Sequence, residues 1–195
     1  MSFPFHIGLG QILCLGTLFA VTLFELWASR ARSGGPERVC VDRKTGPVML
    51  LMAVAGLGGG FVLSSEARAF WRDPFVLWQY LGFSLAGAGL LVRFVAIRSL
   101  GDAFSIHPGV SRSQTLCTLG IYRLIRHPAY LGTLLLFGSM AWIYAHPLSS
   151  SIVFLLPALG LIYRIRVEES ILERVFGEEY LGYKQRTKRF IPYVY

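Results

Sequence analysis

The chain has 195 residues, 54% of them hydrophobic and only 15% Asp, Glu, Lys or Arg, at a mean hydropathy of +0.53. That balance excludes an ordinary soluble domain, whose surface needs more charge. The net charge of +8 would suit a nucleic-acid partner. The basic residues fall between apolar blocks, however, and not in a stripe with aromatics, so no nucleic-acid partner is expected.

The apolar residues come in long blocks, as expected of helices that satisfy their own backbone and face lipid all round. The first, Phe5 to Trp27, is long enough to cross a bilayer and ends at Arg30, Arg32 and a Gly34-Gly35-Pro36 break. No basic n-region precedes it and no A-x-A cleavage site follows, so it is expected to be retained as a helix. Pro47 to Ser64 is the second span. Its Gly56, Gly58, Gly59 and Gly60 read as small residues for close helix packing, not as a phosphate loop, because no Lys-Ser/Thr follows. Pro74 to Ile97 is the third, with Arg93 near its end as an interfacial anchor.

A polar stretch, Arg98 to His127, precedes the fourth span, Pro128 to Ala145, where Pro128 occupies a favoured first-turn position. A short turn at His146-Pro147 leads to the fifth, Leu148 to Ile165, which continues as a polar helix towards Phe176. The last two spans form an antiparallel helical hairpin, and an amphipathic segment, Glu178 to Lys188, follows. With no internal repeat, the chain reads as one membrane domain: three N-terminal spans in 1–97, then polar loop, hairpin and C-terminal segment in 98–195. The expected fold is an all-α integral membrane protein with about five transmembrane helices.

Loop charge sets its orientation. The loops from Arg30 to Gly46 and from Arg98 to His127 each balance at +3, the tail from Arg164 at +2, and the loop from Ser64 to Asp73 and the turn at His146 at zero. Positive charge alternating with neutrality puts the N-terminus outside and the C-terminus in the cytosol, in a membrane compatible with a prokaryotic cytoplasmic one. Cys14, Cys40 and Cys117 lack ligand spacing, so neither a disulfide framework nor a metal is expected.

Two polar segments flank the hairpin: Gly120 to Gly132, reading GIYRLIRHPAYLG, and Tyr163 to Tyr180, containing RIRVEESIL and FGEEY. The hairpin brings its own ends together, so Arg126 and His127 should face Arg164, Arg166, Glu168 and Glu169. Charged groups at bilayer depth are costly unless they pair or serve a ligand. Arg123, Arg126, Arg164 and Arg166 read equally as interfacial anchors that snorkel to headgroups. Glu168-Glu169 also fits solvated acids paired along their own helix, and Tyr122, Tyr130, Tyr180 and Tyr183 fit interfacial aromatics.

RHPAYLG followed by EESIL, FGEEY, YKQRT and FIPY, with the LGDAFS segment at Leu100 to Ser105, resembles the isoprenylcysteine carboxyl methyltransferase family and its phospholipid N-methyltransferase relatives. The likeness covers Leu100 to Tyr195. It implies an S-adenosyl-L-methionine-dependent methyltransferase without a Rossmann domain, its cofactor held in a cytosolic pocket under a C-terminal lid. Carried over, Arg126, His127, Tyr130, Glu168 and Glu169 become cofactor contacts, joined by backbone amides around Leu119 and Gly120. Arg164 and Arg166 would orient an anionic substrate group, and Glu168 or His127 would assist an acceptor that must lose a proton.

The implied substrate is a lipophilic small molecule or lipid-modified partner (a prenylated cysteine carboxylate, a phospholipid amine or a small thiol) reached through membrane lipids. The alternatives are an NADPH-dependent sterol-type membrane reductase, whose pattern has Arg-Asp where Glu168-Glu169 stand, and a non-catalytic membrane scaffold.

Overall fold

The computed structural model describes residue 16 and residues 38–41, 44–66, 76–101, 109–111, 115–144 and 147–190. The expected first span lies outside these apart from Gly16. So do His6, Cys14, His146, residues 102–105 and the IPY ending.

The other four segments expected to span are helices. Helix α1 runs Thr45–Glu66, α2 Val76–Leu100, α3 Pro128–Tyr144 and α4 Pro147–Phe176; the amphipathic segment forms α5, Glu178–Arg186. The α2 stretch Tyr80–Leu100 and α4 are long and apolar enough to cross a membrane, and shorter apolar runs occupy Thr45–Gly60 and Pro128–Ile143. Leu50, Leu51, Val54, Leu91, Leu155 and Leu159 point outward and exposed, as lipid-facing positions do. At about 1.5 Å per residue, the 30 residues of α4 extend about 45 Å, beyond a hydrocarbon core of about 30 Å. Its polar C-terminal turns therefore project past the apolar layer.

Glycines let the helices meet. On α1, a Cβ at Gly60 would overlap the Val153 side chain, and one at Gly56 would sit 3.2 Å from the Pro157 ring. The reading of these glycines as packing residues therefore holds. Pro157 lacks a backbone donor inside α4, and its buried ring fills the space Gly56 leaves. Helix α2 packs on α3 closely as well: Gly89 and Gly132 face each other, and a Cβ at Gly132 would sit 2.6 Å from the Gly89 carbonyl oxygen. These contacts run antiparallel, so the start of α1, the end of α2, the start of α3 and the end of α4 share one end of the bundle.

The structure corrects the all-α expectation in one respect. Strands β1, Arg38–Val41, and β2, Gly109–Ser111, form an antiparallel ribbon, with Cys40 opposite Val110 and Val41 opposite Gly109. Strands this short give no periodic signal, and their pairing joins loops about 70 residues apart. The ribbon puts the two +3 loops on one side of the molecule.

Candidate active site

The bundle end that gathers α3 and α4 is built around residues 119–128. A 3-10 turn, Gly120–Arg123, leads through Ile125 to Pro128, where α3 begins. The chain from α5 returns here. Gly177, with its φ of +50°, allows the sharp turn between α4 and α5, and Thr187 ends α5 with its hydroxyl donating to the Tyr183 carbonyl at 2.7 Å. Residues 187–190 then lie along 125–127 as a parallel bridge, Ile125 to Lys188. The Arg126 amide donates to the Lys188 carbonyl at 2.8 Å and the His127 amide to the Arg189 carbonyl at 3.1 Å.

Glu169, 3% exposed, sits at the centre. Its Oε1 accepts from Arg126 Nε at 3.2 Å, lies 3.2 Å from His127 Nε2 and accepts from Arg189 Nε at 3.3 Å. Its Oε2 accepts from Arg189 Nη2 at 2.7 Å. Arg126 Nη1 also donates to the carbonyls of Lys184, at 3.0 Å, and Thr187. The carboxylate is thus compensated by charge-assisted bonds, which a buried anion requires.

A second group lies alongside. Arg164, 4% exposed, donates through Nε to the Tyr130 hydroxyl at 2.9 Å, and its guanidinium carbon lies 5.7 Å from the centre of the Tyr130 ring. The His127 ring stacks on Tyr130 at a centroid distance of 5.7 Å. Glu168 faces the Tyr130 phenol. Tyr122, Tyr180 and Tyr183 form a buried aromatic floor, Tyr183 donating its hydroxyl to the Tyr122 carbonyl at 2.7 Å. Burial pushes all three phenols well above their ordinary range, with Glu168 adding to the shift at Tyr122 and Glu169 at Tyr180. They stay neutral at any physiological pH.

Of the residues singled out from sequence, the structure brings together Arg126, His127, Tyr130, Arg164, Glu168 and Glu169. It leaves Arg166 exposed: two residues along a helix turn by about 200°, so burying Arg164 points Arg166 outward. Leu119 is 77% exposed, and Gly120, also exposed, holds a φ of +60° above Ser99. Tyr122, Tyr180 and Tyr183 are buried, unlike interfacial aromatics. Arg93 reaches across to α3 and does not snorkel, its Nη1 donating to the Ala129 carbonyl at 3.1 Å and the Thr133 hydroxyl at 2.8 Å. Sequence reasoning misses Arg189, whose only signal is its place in the Lys188-Arg189 pair between the YKQRT and FIPY strings.

The family model described as phospholipid methyltransferase matches residues 77–179, more than half of the chain. The chain belongs to the phospholipid methyltransferase family. Its relatives carry methyltransferase names. A probable protein-S-isoprenylcysteine O-methyltransferase of Oryza sativa subsp. indica is 30% identical over 135 residues, 68% of each protein. The protein-S-isoprenylcysteine O-methyltransferase of Rattus norvegicus is 31% identical over 72% of this chain and 51% of its own length. The Homo sapiens protein of that name is 29% identical over 95% of this chain and 65% of its own length.

The solved structure of a eukaryotic intramembrane Ras methyltransferase, isoprenylcysteine carboxyl methyltransferase, superposes with a TM-score of 0.62 at 25% identity, over 78% of this chain and 54% of that one. The chain thus spans about half the length of some relatives and about two-thirds of others. These named relatives are eukaryotic and lend no support to a prokaryotic membrane. In this member of the phospholipid methyltransferase family, the buried side-chain atoms Glu168 Oε2 and Tyr180 Oη at the hairpin mouth, like Arg93 Nε between α2 and α3, meet no hydrogen-bond partner among the described residues. Such atoms are costly unless a ligand meets them. A carboxylate oxygen and a phenol in that state suit a ligand that brings hydrogen-bond donors of its own.

Proposed function

We propose that this protein transfers a methyl group from S-adenosyl-L-methionine to a lipophilic acceptor that ends in a carboxylate, of the isoprenylcysteine type. The observation that carries the reading is the buried Glu168 Oε2, without a hydrogen-bond partner among the described residues, near the Arg164–Tyr130 pair. When bound, the cofactor supplies an electrophilic methyl group. Glu168 would hold its amino group or ribose hydroxyls, with Tyr180 Oη in the same electrostatic neighbourhood. Tyr130 fixes the direction of the Arg164 guanidinium, a planar cation of the kind that suits a carboxylate group.

A carboxylate acceptor is already ionised at neutral pH, so these side chains need only orient it and exclude water. A similar acceptor is named for the relatives in rice, rat and human. The sterol-type reductase reading has no comparable support, because Glu168-Glu169 replaces its Arg-Asp pair. The proposed topology has five spans, the N-terminus outside, and both +3 loops and the hairpin mouth facing the cytosol; the ribbon supports the part of it that puts those two loops on one side.

The test is calorimetric titration of the detergent-solubilised protein with S-adenosyl-L-methionine, beside Glu168→Gln. Saturable binding is expected, weakened roughly tenfold or more in the variant, the scale of one charged hydrogen bond. Folded wild type that binds no cofactor sinks the reading. Labelled methyl transfer to a prenylated cysteine analogue, compared with a phospholipid amine, then identifies the acceptor.

A further inference from the structure

The two adjacent glutamates have opposite surroundings. The Glu169 carboxylate accepts from the guanidiniums of Arg126 and Arg189 and lies against His127 Nε2, all at 2.7–3.3 Å, which uses the roughly four lone-pair sites a carboxylate offers. Glu168, about 100° further round α4, keeps a buried oxygen with no partner among the described residues. Both oxygens of Glu169 are taken up by the protein, while Glu168, beside the Tyr130 phenol, keeps one oxygen for a ligand.

What consumes Glu169 is chiefly Arg189, which grips both carboxylate oxygens. Arg189 belongs to the 187–190 segment, held along 125–127 by two backbone hydrogen bonds. Arg126 reaches the same segment in the other direction through the Thr187 carbonyl, and the last turn of α5 through that of Lys184. The Arg189 side chain is 26% exposed, against 4% for that of Glu169, so it is the solvent-side member of the knot.

We propose that Arg189 is a positioning residue. By gripping Glu169 it closes the 187–190 strap over the hairpin mouth, and Glu169 acts on cofactor binding through that grip without touching the cofactor. This rests on the proposed methyltransferase reading. The strap itself can be tested without any ligand.

The experiment uses the full chain in detergent as wild type, Arg189→Gln, Arg189→Lys, Glu169→Gln and the Arg189→Gln/Glu169→Gln double variant. Two quantities are read: S-adenosyl-L-methionine affinity by calorimetry, and amide hydrogen exchange of residues 125–127 and 187–190. Each Gln variant is expected to weaken binding about tenfold, within the range of coupled contacts. The double variant should be no weaker than the worse single one, exchange at both segments should quicken, and Arg189→Lys should recover part of each effect.

Full additivity of the two substitutions in binding overturns the proposal, because Glu169 would then touch the ligand itself. Unchanged exchange in Arg189→Gln also overturns it. If Glu169→Gln does not fold, the Arg189 pair decides: graded exchange from Arg through Lys to Gln supports the strap, and equal exchange in all three rejects it. Wild type that binds no cofactor refutes the enzymatic reading alone, while the exchange data still judge the strap.

Discussion

Tyr183 links α5 to the turn before α3 by a single hydroxyl bond to the Tyr122 carbonyl. Tyr183→Phe removes that donor while keeping the ring, so it should cost about 1 kcal/mol, read as a lower thermal midpoint in detergent. The phenols of Tyr122, Tyr180 and Tyr183 give a second expectation. Their folded pKa values lie above the ordinary 10.0, so between the two values the native state holds protons that the unfolded state releases. Stability should be unaffected by these groups below about pH 10 and fall as the pH rises above it. Denaturation midpoints followed from neutral pH to about pH 11 measure this, and a flat profile counts against it.

At this scale the sequence is informative where neighbours are local. Arg126, His127, Tyr130, Arg164, Glu168 and Glu169 can be grouped because a hairpin with a short turn forces its two ends together. Arg189 cannot, because its approach to Glu169 depends on the strap folding back along 125–127, which no periodicity encodes. The buried tyrosines are hidden for a related reason: a tyrosine near a membrane boundary looks the same in sequence whether it faces headgroups or a protein floor.

Between helices, Gly132 and Gly89 set the distance from α2 to α3. Gly132→Ala should destabilise the protein by about 1–3 kcal/mol through overpacking, since its Cβ would meet the Gly89 carbonyl and the Arg93 side chain at 2.6–2.8 Å. Gly87→Ala has nothing within 4 Å of the added carbon and should be neutral or mildly stabilising through helix propensity. Thermal unfolding of the two variants side by side tests the contrast; equal losses would mean that glycine flexibility, and not contact distance, is what matters. The helices themselves are legible from their apolar blocks, with boundaries displaced by only a few residues. The β1–β2 ribbon is not, since strands of four and three residues carry too little pattern and their pairing spans two helices.

For the whole molecule, the proposed topology predicts which surfaces share a compartment. Thr115→Cys and Gln185→Cys, both at exposed positions near the hairpin mouth, should react with a membrane-impermeant thiol reagent from the same side, and Leu148→Cys at the far end of the hairpin from the other. Each is made in a chain whose Cys14, Cys40 and Cys117 are replaced by serine, so that only the introduced thiol reports. Labelling of all three from one side would refute the hairpin as a transmembrane element. The orientation is read from loop charge, which depends on composition and needs no contact map.

The bridge between Ile125 and Lys188 has a consequence for how the molecule is made. During synthesis, α3 and α4 can enter the bilayer as a pair as soon as both have emerged. Glu169 and Arg189 lie on opposite sides of the Gly177 turn, so the grip between them closes only when α5 and the segment after it fold back on the hairpin. The cluster can therefore assemble only as a late event, after insertion is finished.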